Sequence, residues 1–231
     1  MSSNDGDELN QTEGRRADAS GAQNSAAHDA APKAASEAAG NAEPKDVRNA
    51  EPDAAGSGAR LPADTAAYEV RDARVGDMHS ITSIYNQAIR QGDATSDVDE
   101  RTFDQRIDWM GSHQPRSQYP VVVITCNGAV IGFGSLSRYR PRAGYDGVVE
   151  LSYYIGQYWR GKGAGTVLVH WLLDAARSRG YRMAVSVVFT RNEGSTALMR
   201  KFGFTRFGVL PGGVVNDGVA LDVAYWYKNL V

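Results

Sequence analysis

Arg160-Gly-Lys-Gly-Ala-Gly165 joins an apolar, strand-like segment, Val148 to Ile155, to a segment of helical periodicity. In the latter, Val167, Leu168, Trp171, Leu172 and Ala175 fall on one face. Three glycines at alternate positions let an anion approach the main chain closely. The first N–H groups of the following helix have no partner within it, and the helix dipole adds partial positive charge, so the turn suits a phosphate or diphosphate. Arg160 and Lys162 add charge at its rim. A Walker loop needs four residues between its glycines and then Lys-Ser/Thr, which this turn lacks. A dinucleotide fingerprint reads G-x-G-x-x-G near the start of a βαβ unit, whereas this turn reads G-x-G-x-G late in the chain. A glycine-rich connector that binds nothing is the bland alternative.

Outward from the turn, the periodicity predicts an alternation of strands and helices. Tyr68 to Ala73 reads as a first strand. Asp77 is expected to cap a helix carrying Met78, Ile81, Ile84, Tyr85 and Ala88, which Gly92 ends. Thr102 opens a second helix with Phe103, Ile107, Trp109 and Met110. Val121 to Thr125 and Val130 to Leu136 flank Asn127-Gly128, a strong hairpin signal. Beyond the turn and its helix, Met183 to Phe189 reads as a buried strand, and Asn192 opens a short helix ended by Gly203. Phe204 to Leu210 and Val219 to Tyr227 close the domain. The order β-α-α-β-β-β-α-β-α-β-β predicts an α/β domain: a mixed, largely antiparallel sheet with flanking helices, parallel where helices intervene.

Composition divides the 231-residue chain at Tyr68, before which no Phe, Trp or Tyr occurs. Residues 1–67 hold 19 alanines and carry a net charge of −6, from 12 acidic and 6 basic groups. Such a segment cannot bury enough apolar surface to offset its ordering entropy and reads as a disordered acidic tail. Residues 68–231 form one domain with a net charge of +4, from 15 acidic and 19 basic groups. That balance suits an anionic ligand, but no Lys/Arg run interleaved with aromatics points to nucleic acid. No apolar stretch follows Arg15-Arg16 as a twin-arginine signal requires, and no apolar run approaches the roughly 18 residues that span a membrane. A single cysteine, Cys126, excludes an intramolecular disulfide, fits a cytoplasmic location and reads as a core thiol. No Cys/His cluster has metal-ligand spacing, so no metal is expected. His79 and His113 read as solvated helix residues. Oligomeric state is open, and a homodimer is compatible with the sequence.

The pattern Arg-x-x-Gly-x-Gly, preceded by a strand ending in Tyr153-Tyr154-Ile155 and followed by Asn192 opening a helix that ends in Gly203-Phe204, resembles the GNAT superfamily of N-acetyltransferases. The resemblance covers essentially all of residues 68–231. It implies that acetyl-coenzyme A is the co-substrate. Its diphosphate would lie on Arg160, Gly161, Lys162, Gly163, Ala164, Gly165 and Thr166, and its pantetheine arm along Tyr153, Tyr154 and Ile155, with Asn192 close by. Ile84-Tyr85-Asn86, Arg140-Pro141 with Gly144-Tyr145, Val149-Glu150-x-Ser152-x-Tyr154 and Leu221-Asp222 are similar to the phosphinothricin and methionine sulfoximine acetyltransferase branch. That branch acetylates the α-amine of small amino-acid analogues. The resemblance makes Glu150 the general base and Asn86, Arg140 and Tyr145 acceptor contacts, Arg140 as partner of a carboxylate. It also implies direct attack by the amine in a ternary complex.

Three substrate-side positions depart from the branch. Ser96 and Ala220 stand where it usually has Trp, which implies a larger acceptor pocket. Met199 stands seven residues after Asn192, where relatives often carry a proton-donating Tyr or His. Tyr153, Tyr154 and Tyr225 then remain as possible donors to the leaving thiolate. A small-amine acetyltransferase is the leading reading. A protein or peptide acetyltransferase and a non-catalytic acyl-coenzyme A binding module are the alternatives.

Overall fold

The computed structural model describes residues 68–231; the reading of residues 1–67 as a disordered tail lies outside the described residues. Strands β1 (Tyr68–Asp72), β2 (Val121–Cys126), β3 (Ala129–Arg138), β4 (Val148–Ile155), β5 (Met183–Phe189), β6 (Thr205–Asn216) and β7 (Val219–Asn229) form one sheet. Its spatial order is β1-β2-β3-β4-β5-β7-β6. Helices α1 (Met78–Gln91), α2 (Phe103–Ser112), α3 (Ala164–Ser178) and α4 (Glu193–Lys201) complete the expected element order. Parallel pairing is narrower than expected. Only β4 and β5, joined through α3, run parallel. β1 and β2 pair antiparallel across α1 and α2, and β7 inserts between β5 and β6.

Local chemistry explains most boundaries. Asn127 and Gly128 have φ of 49° and 79°, the left-handed pair that a two-residue hairpin turn requires. The Thr102 side chain accepts from the Gln105 N–H, and the Gln105 side chain accepts in return from the Thr102 N–H, a capping box at the start of α2. β6 runs on to Asn216, six residues past its expected end. Pro211-Gly212-Gly213 is absorbed as an irregularity between Leu210 and Val214, on an edge strand that tolerates proline. α3 buries a wider face than expected. Leu168, Leu172 and Ala175 are inside with Ala164, Val169, Leu173 and Ala176, whereas Val167 and Trp171 are only half-buried.

Asp77 corrects the expected helix cap. Its side chain caps nothing in α1. Both carboxylate oxygens instead accept from Arg71, at 2.7 and 2.8 Å, and one also accepts from the Arg74 N–H at 2.8 Å. A short 3₁₀ turn, Val75–Asp77, precedes α1, so the carboxylate points back to β1.

The sheet separates two apolar clusters. Val122, Ile124, Leu136, Val149 and Leu151 pack with α3 and with Met199 of α4 on one face. Val121, Val123 and Phe133 pack with α1 and α2 on the other. Directly paired residues share a face. The register therefore groups Glu150, Ser152 and Tyr154 of β4 with Ser137, Ser135 and Phe133 of β3 on the α1/α2 face. Leu151, Tyr153 and Ile155 point toward α3 and α4.

The Asp77 pair yields a pH test. Arg71 holds the folded carboxyl below its ordinary range. Its contribution is complete above the unfolded pKa of about 3.9 and fades as pH falls through the folded value. Asp77→Asn is expected to lower the melting temperature at neutral pH, with the gap to the parent closing on acidification. A gap of constant size down to about pH 2 would show that the pair adds no pH-dependent stability.

Candidate active site

β4 pairs with β3 from Val149 to Ile155, all but its first residue. With β5 it pairs only at Val148, Val149 and Glu150. Beyond Glu150 the two strands splay, and the Ser186 hydroxyl bridges the start of the gap by donating to the Leu151 carbonyl at 3.1 Å. The rest of the β5-facing edge of β4 is left to other hydrogen-bonding partners.

The splay opens into a cleft of ≈ 660 Å³. Tyr153, Tyr154 and Ile155 form one wall, and the glycine turn with Gly163, Gly165 and Thr166 forms its end. α4 supplies a further wall through Asn192, Ser195, Leu198 and Lys201. Gly163 sits at the helix start with φ of 87° and offers no side chain to the N–H groups that open α3. Gly161 also has positive φ, at 72°. The turn is tied down from outside, because the Tyr68 hydroxyl donates to the Lys162 carbonyl at 3.0 Å. Lys162 leans over the Trp159 ring, 5.4 Å from its centroid. The Lys201 ammonium donates to the Thr166 hydroxyl at 3.2 Å and brings a second cation to the first turn of α3. The Arg160 guanidinium is bound to the scaffold: it donates to the Ile155 carbonyl at 3.0 Å and to the Gln91 side chain.

A strap after α1 closes the opposite side. Arg191 donates to the Gly92 carbonyl at 2.6 Å, and the Asn192 amide donates to the Asp93 carbonyl at 3.1 Å. Asn192 also caps α4 by accepting from the Ser195 N–H at 2.9 Å. It therefore joins the strap, the helix and the cleft. Arg191 and Lys201 escaped the sequence reading. Their one signal is basic charge at the two ends of a short helix behind a glycine turn.

Across the sheet, Tyr154 stacks on Phe133 with ring centroids 5.0 Å apart and meets Tyr85 edge-on at 5.0 Å. Burial pushes the Tyr154 hydroxyl up to about 12 and raises that of Tyr85 further. The Tyr85 hydroxyl donates to Asp97 at 2.7 Å, and Asp97 pairs with Arg101 at 2.6 Å. Glu150 lies two residues before Ser152 on this face, opposite Ser137 of β3. His113 is buried, in contrast to the expected solvated position. Its Nδ1 is 2.8 Å from the Trp109 carbonyl, and its Nε2 is 3.3 Å from the Ser137 hydroxyl. It caps the end of α2 and reaches the β3 neighbour of Glu150.

The structure brings Glu150, Tyr153, Tyr154, Ile155, the glycine turn and Asn192 to one stretch of sheet and its adjoining helix ends. Asn86 is engaged elsewhere. Its amide donates to the Arg101 carbonyl at 3.0 Å and accepts from the Arg101 N–H at 2.9 Å, a brace between α1 and the segment before α2. Arg140 and Tyr145 lie on the β3–β4 connection, where Arg140 is 4.9 Å from the Tyr139 ring and Tyr145 packs edge-on against that ring. Neither lines the cleft. Among the described residues, no group of three or more His, Cys, Asp or Glu could hold a metal ion, and no helix is long and apolar enough to cross a membrane.

Residues 78–204 match the model of the acetyltransferase (GNAT) family. The chain is 34% identical over 164 residues to an L-methionine sulfoximine/L-methionine sulfone acetyltransferase of Pseudomonas paraeruginosa, covering 70% of this chain and 94% of that protein. Among solved structures, an N-acetyltransferase from Staphylococcus aureus Mu50 superposes with a TM-score of 0.68 at 33% identity, over 71% of this chain and 99% of that one. A GNAT superfamily phosphinothricin acetyltransferase from Sinorhizobium meliloti, solved in complex with acetyl-coenzyme A, superposes with a TM-score of 0.66 at 30% identity, over 71% and 88% of the two chains. With the splayed strands, the glycine turn and the helix start arranged as described, this chain belongs to the GNAT family of acetyltransferases.

Proposed function

We propose that this protein binds acetyl-coenzyme A in the cleft and transfers its acetyl group to the amine of a small, amino-acid-like acceptor by direct attack in a ternary complex. The observation that carries the reading is the freed edge of β4, which runs from Glu150 to the glycine turn at the start of α3. A diphosphate fits that turn because open N–H groups, a helix dipole and Lys201 converge there. The pantetheine amides would complete the β4 edge as a strand would. The names of the relatives support the acceptor class: one acts on methionine sulfoximine and methionine sulfone, another on phosphinothricin.

In this reading Glu150 is the general base. An alkyl ammonium with a pKa near 10.4 is deprotonated in only about one molecule in a thousand at neutral pH, so a carboxylate must take the proton, directly or through water. Attack on the thioester then puts negative charge on the carbonyl oxygen, and an N–H on the freed edge of β4 would stabilise it. Arg140 and Tyr145 are the proposed acceptor contacts. They sit on the connection that leads into β4 at the Glu150 end.

Acetyl-coenzyme A is expected to raise the melting temperature, as a ligand of the native state does. Gly163→Asp should abolish that rise, because it puts a side chain and a negative charge where φ is 87° and the diphosphate would lie. A variant stabilised as much as the parent would misplace the site.

Glu150→Gln is expected to keep the thermal shift and to lower turnover roughly 10²–10⁴-fold at neutral pH, measured as coenzyme A release across a panel of amino acids and amines. The defect should shrink as pH rises, because more acceptor then arrives deprotonated. A stable variant with parental turnover at pH 7 would remove Glu150 from the mechanism.

A further inference from the structure

A small cavity of ≈ 50 Å³ lies between the splayed ends of β4 and β5. It adjoins the larger cleft, sharing with it Ala94, Tyr153, Tyr154, Asn192 and Ser195. Tyr153 lines both, and its hydroxyl is buried with no hydrogen-bond partner. The Ser195 side chain stands beside it and offsets part of the effect of burial. A buried donor left unmet is unfavourable, and such groups are uncommon in native proteins.

Position says which group could meet it. A donor whose diphosphate rests on the first turn of α3 must pass its thioester through the gap between β4 and β5 to reach the face of Glu150. That gap opens just beyond the Glu150–Val185 pair. Tyr153 is three residues further along β4, on the opposite face, on the side from which the donor arrives. The other candidates are excluded by placement. Tyr154 lies on the Glu150 face, as does Tyr225, which pairs with Val187 of β5. Met199 has no proton to give and is fully buried in the α3 cluster.

We infer that the Tyr153 hydroxyl donates a hydrogen bond to the thioester sulfur and to the thiolate that it becomes, which makes Tyr153 a catalytic residue of acyl transfer. The inference rests on the acyl-coenzyme A reading above. In the step, the acceptor nitrogen bonds to the carbonyl carbon and its proton passes to Glu150. The carbon–sulfur bond breaks, and its electron pair stays on sulfur. Burial pushes the Tyr153 hydroxyl up to about 12, well above the roughly 8.5 of an ordinary thiol. Tyr153 therefore keeps its proton. The thiolate leaves as a hydrogen-bonded anion and is protonated by solvent.

The test needs no acceptor. Coenzyme A and desulfo-coenzyme A are bound to the full chain and to Tyr153→Phe, and the bound thiol is titrated by the ultraviolet absorbance of its thiolate. In the parent, the bound thiol should titrate about one to two units below the free thiol, the size expected of one hydrogen bond to a charged group. In Tyr153→Phe that depression should vanish, while desulfo-coenzyme A binds both proteins equally and the melting temperature does not fall. With any acceptor that turns over, the variant should be roughly 10- to 100-fold slower. An equal depression in both proteins, or none in the parent, overturns the inference and leaves the acyl-coenzyme A reading standing. No binding of coenzyme A by the parent overturns both. Should the variant fail to fold, the parent alone decides. Its preference for coenzyme A over desulfo-coenzyme A should grow as pH approaches the thiol pKa, and a pH-independent ratio counts against Tyr153.

Discussion

The structure depends on one interrupted ladder. β4 is a central strand with a near-complete partner on one side and a three-residue partner on the other. A central strand that loses its neighbour exposes main-chain donors and acceptors that must be satisfied by something else. Here the loss begins at Glu150, and the freed edge leads to a glycine turn and an uncapped helix start. The sheet therefore carries a linear hydrogen-bonding edge that ends in open N–H groups at a helix start. The strap at Gly92–Asp93 and the first turn of α4 are tied together beside the cleft by Arg191 and Asn192.

Strand alternation then divides the chemistry. Successive side chains of β4 point to opposite faces, so the proposed proton acceptor Glu150 and the proposed sulfur contact Tyr153 lie on opposite sides of one strand, three residues apart. The glycines of β3 make room for this. A Cβ at Gly132 would lie 2.8 Å from the Tyr154 carbonyl and 2.7 Å from the Ile155 side chain. β3 can thus lie flat against the Tyr154–Ile155 stretch of β4 without displacing it. On the other face the side chains opposite β4 are Phe133, Ser135 and Ser137, apolar beneath Tyr154 and hydroxylic toward Glu150.

The element order and the glycine turn were legible because they rest on local rules: periodicity, hairpin chemistry, helix start and stop residues. The place of Glu150, Tyr153 and Tyr154 on the strand before the turn was legible in the same way. What escaped depended on long-range contact. Asp77 has the residue type of a cap, but an Arg six positions earlier claims its carboxylate. His113 follows a polar helix and reads as solvated, yet a serine 24 positions away on β3 draws it inside. Asn86 sits in a motif of the branch, yet its amide braces the backbone of Arg101, 15 residues on. The choice among three tyrosines needed the register, which assigns Tyr153 alone to the α3/α4 side.

Arg106 shows how the α1/α2 face of the sheet is held by more than apolar packing. It is 4% exposed, and its Nε and Nη2 lack hydrogen-bond partners. Its guanidinium carbon lies 3.7 Å from the Trp109 ring centroid and 4.2 Å from that of Tyr85. Burial pushes its pKa down to about 10, which leaves it charged at neutral pH. Two ring faces, each negative at its centre, are the closest compensation for that charge. The same rings touch Phe133, and Phe133 and Tyr85 support Tyr154. A cation held in this way resists rearrangement, because moving any ring away strips a desolvated charge of its neighbours. Arg106 lies three residues after Phe103 and three before Trp109, on the stripe where an apolar residue would be expected. That misfit in the helical pattern was the available signal. Its physical meaning is that α1 and α2 are clamped around one buried charge beneath Tyr154.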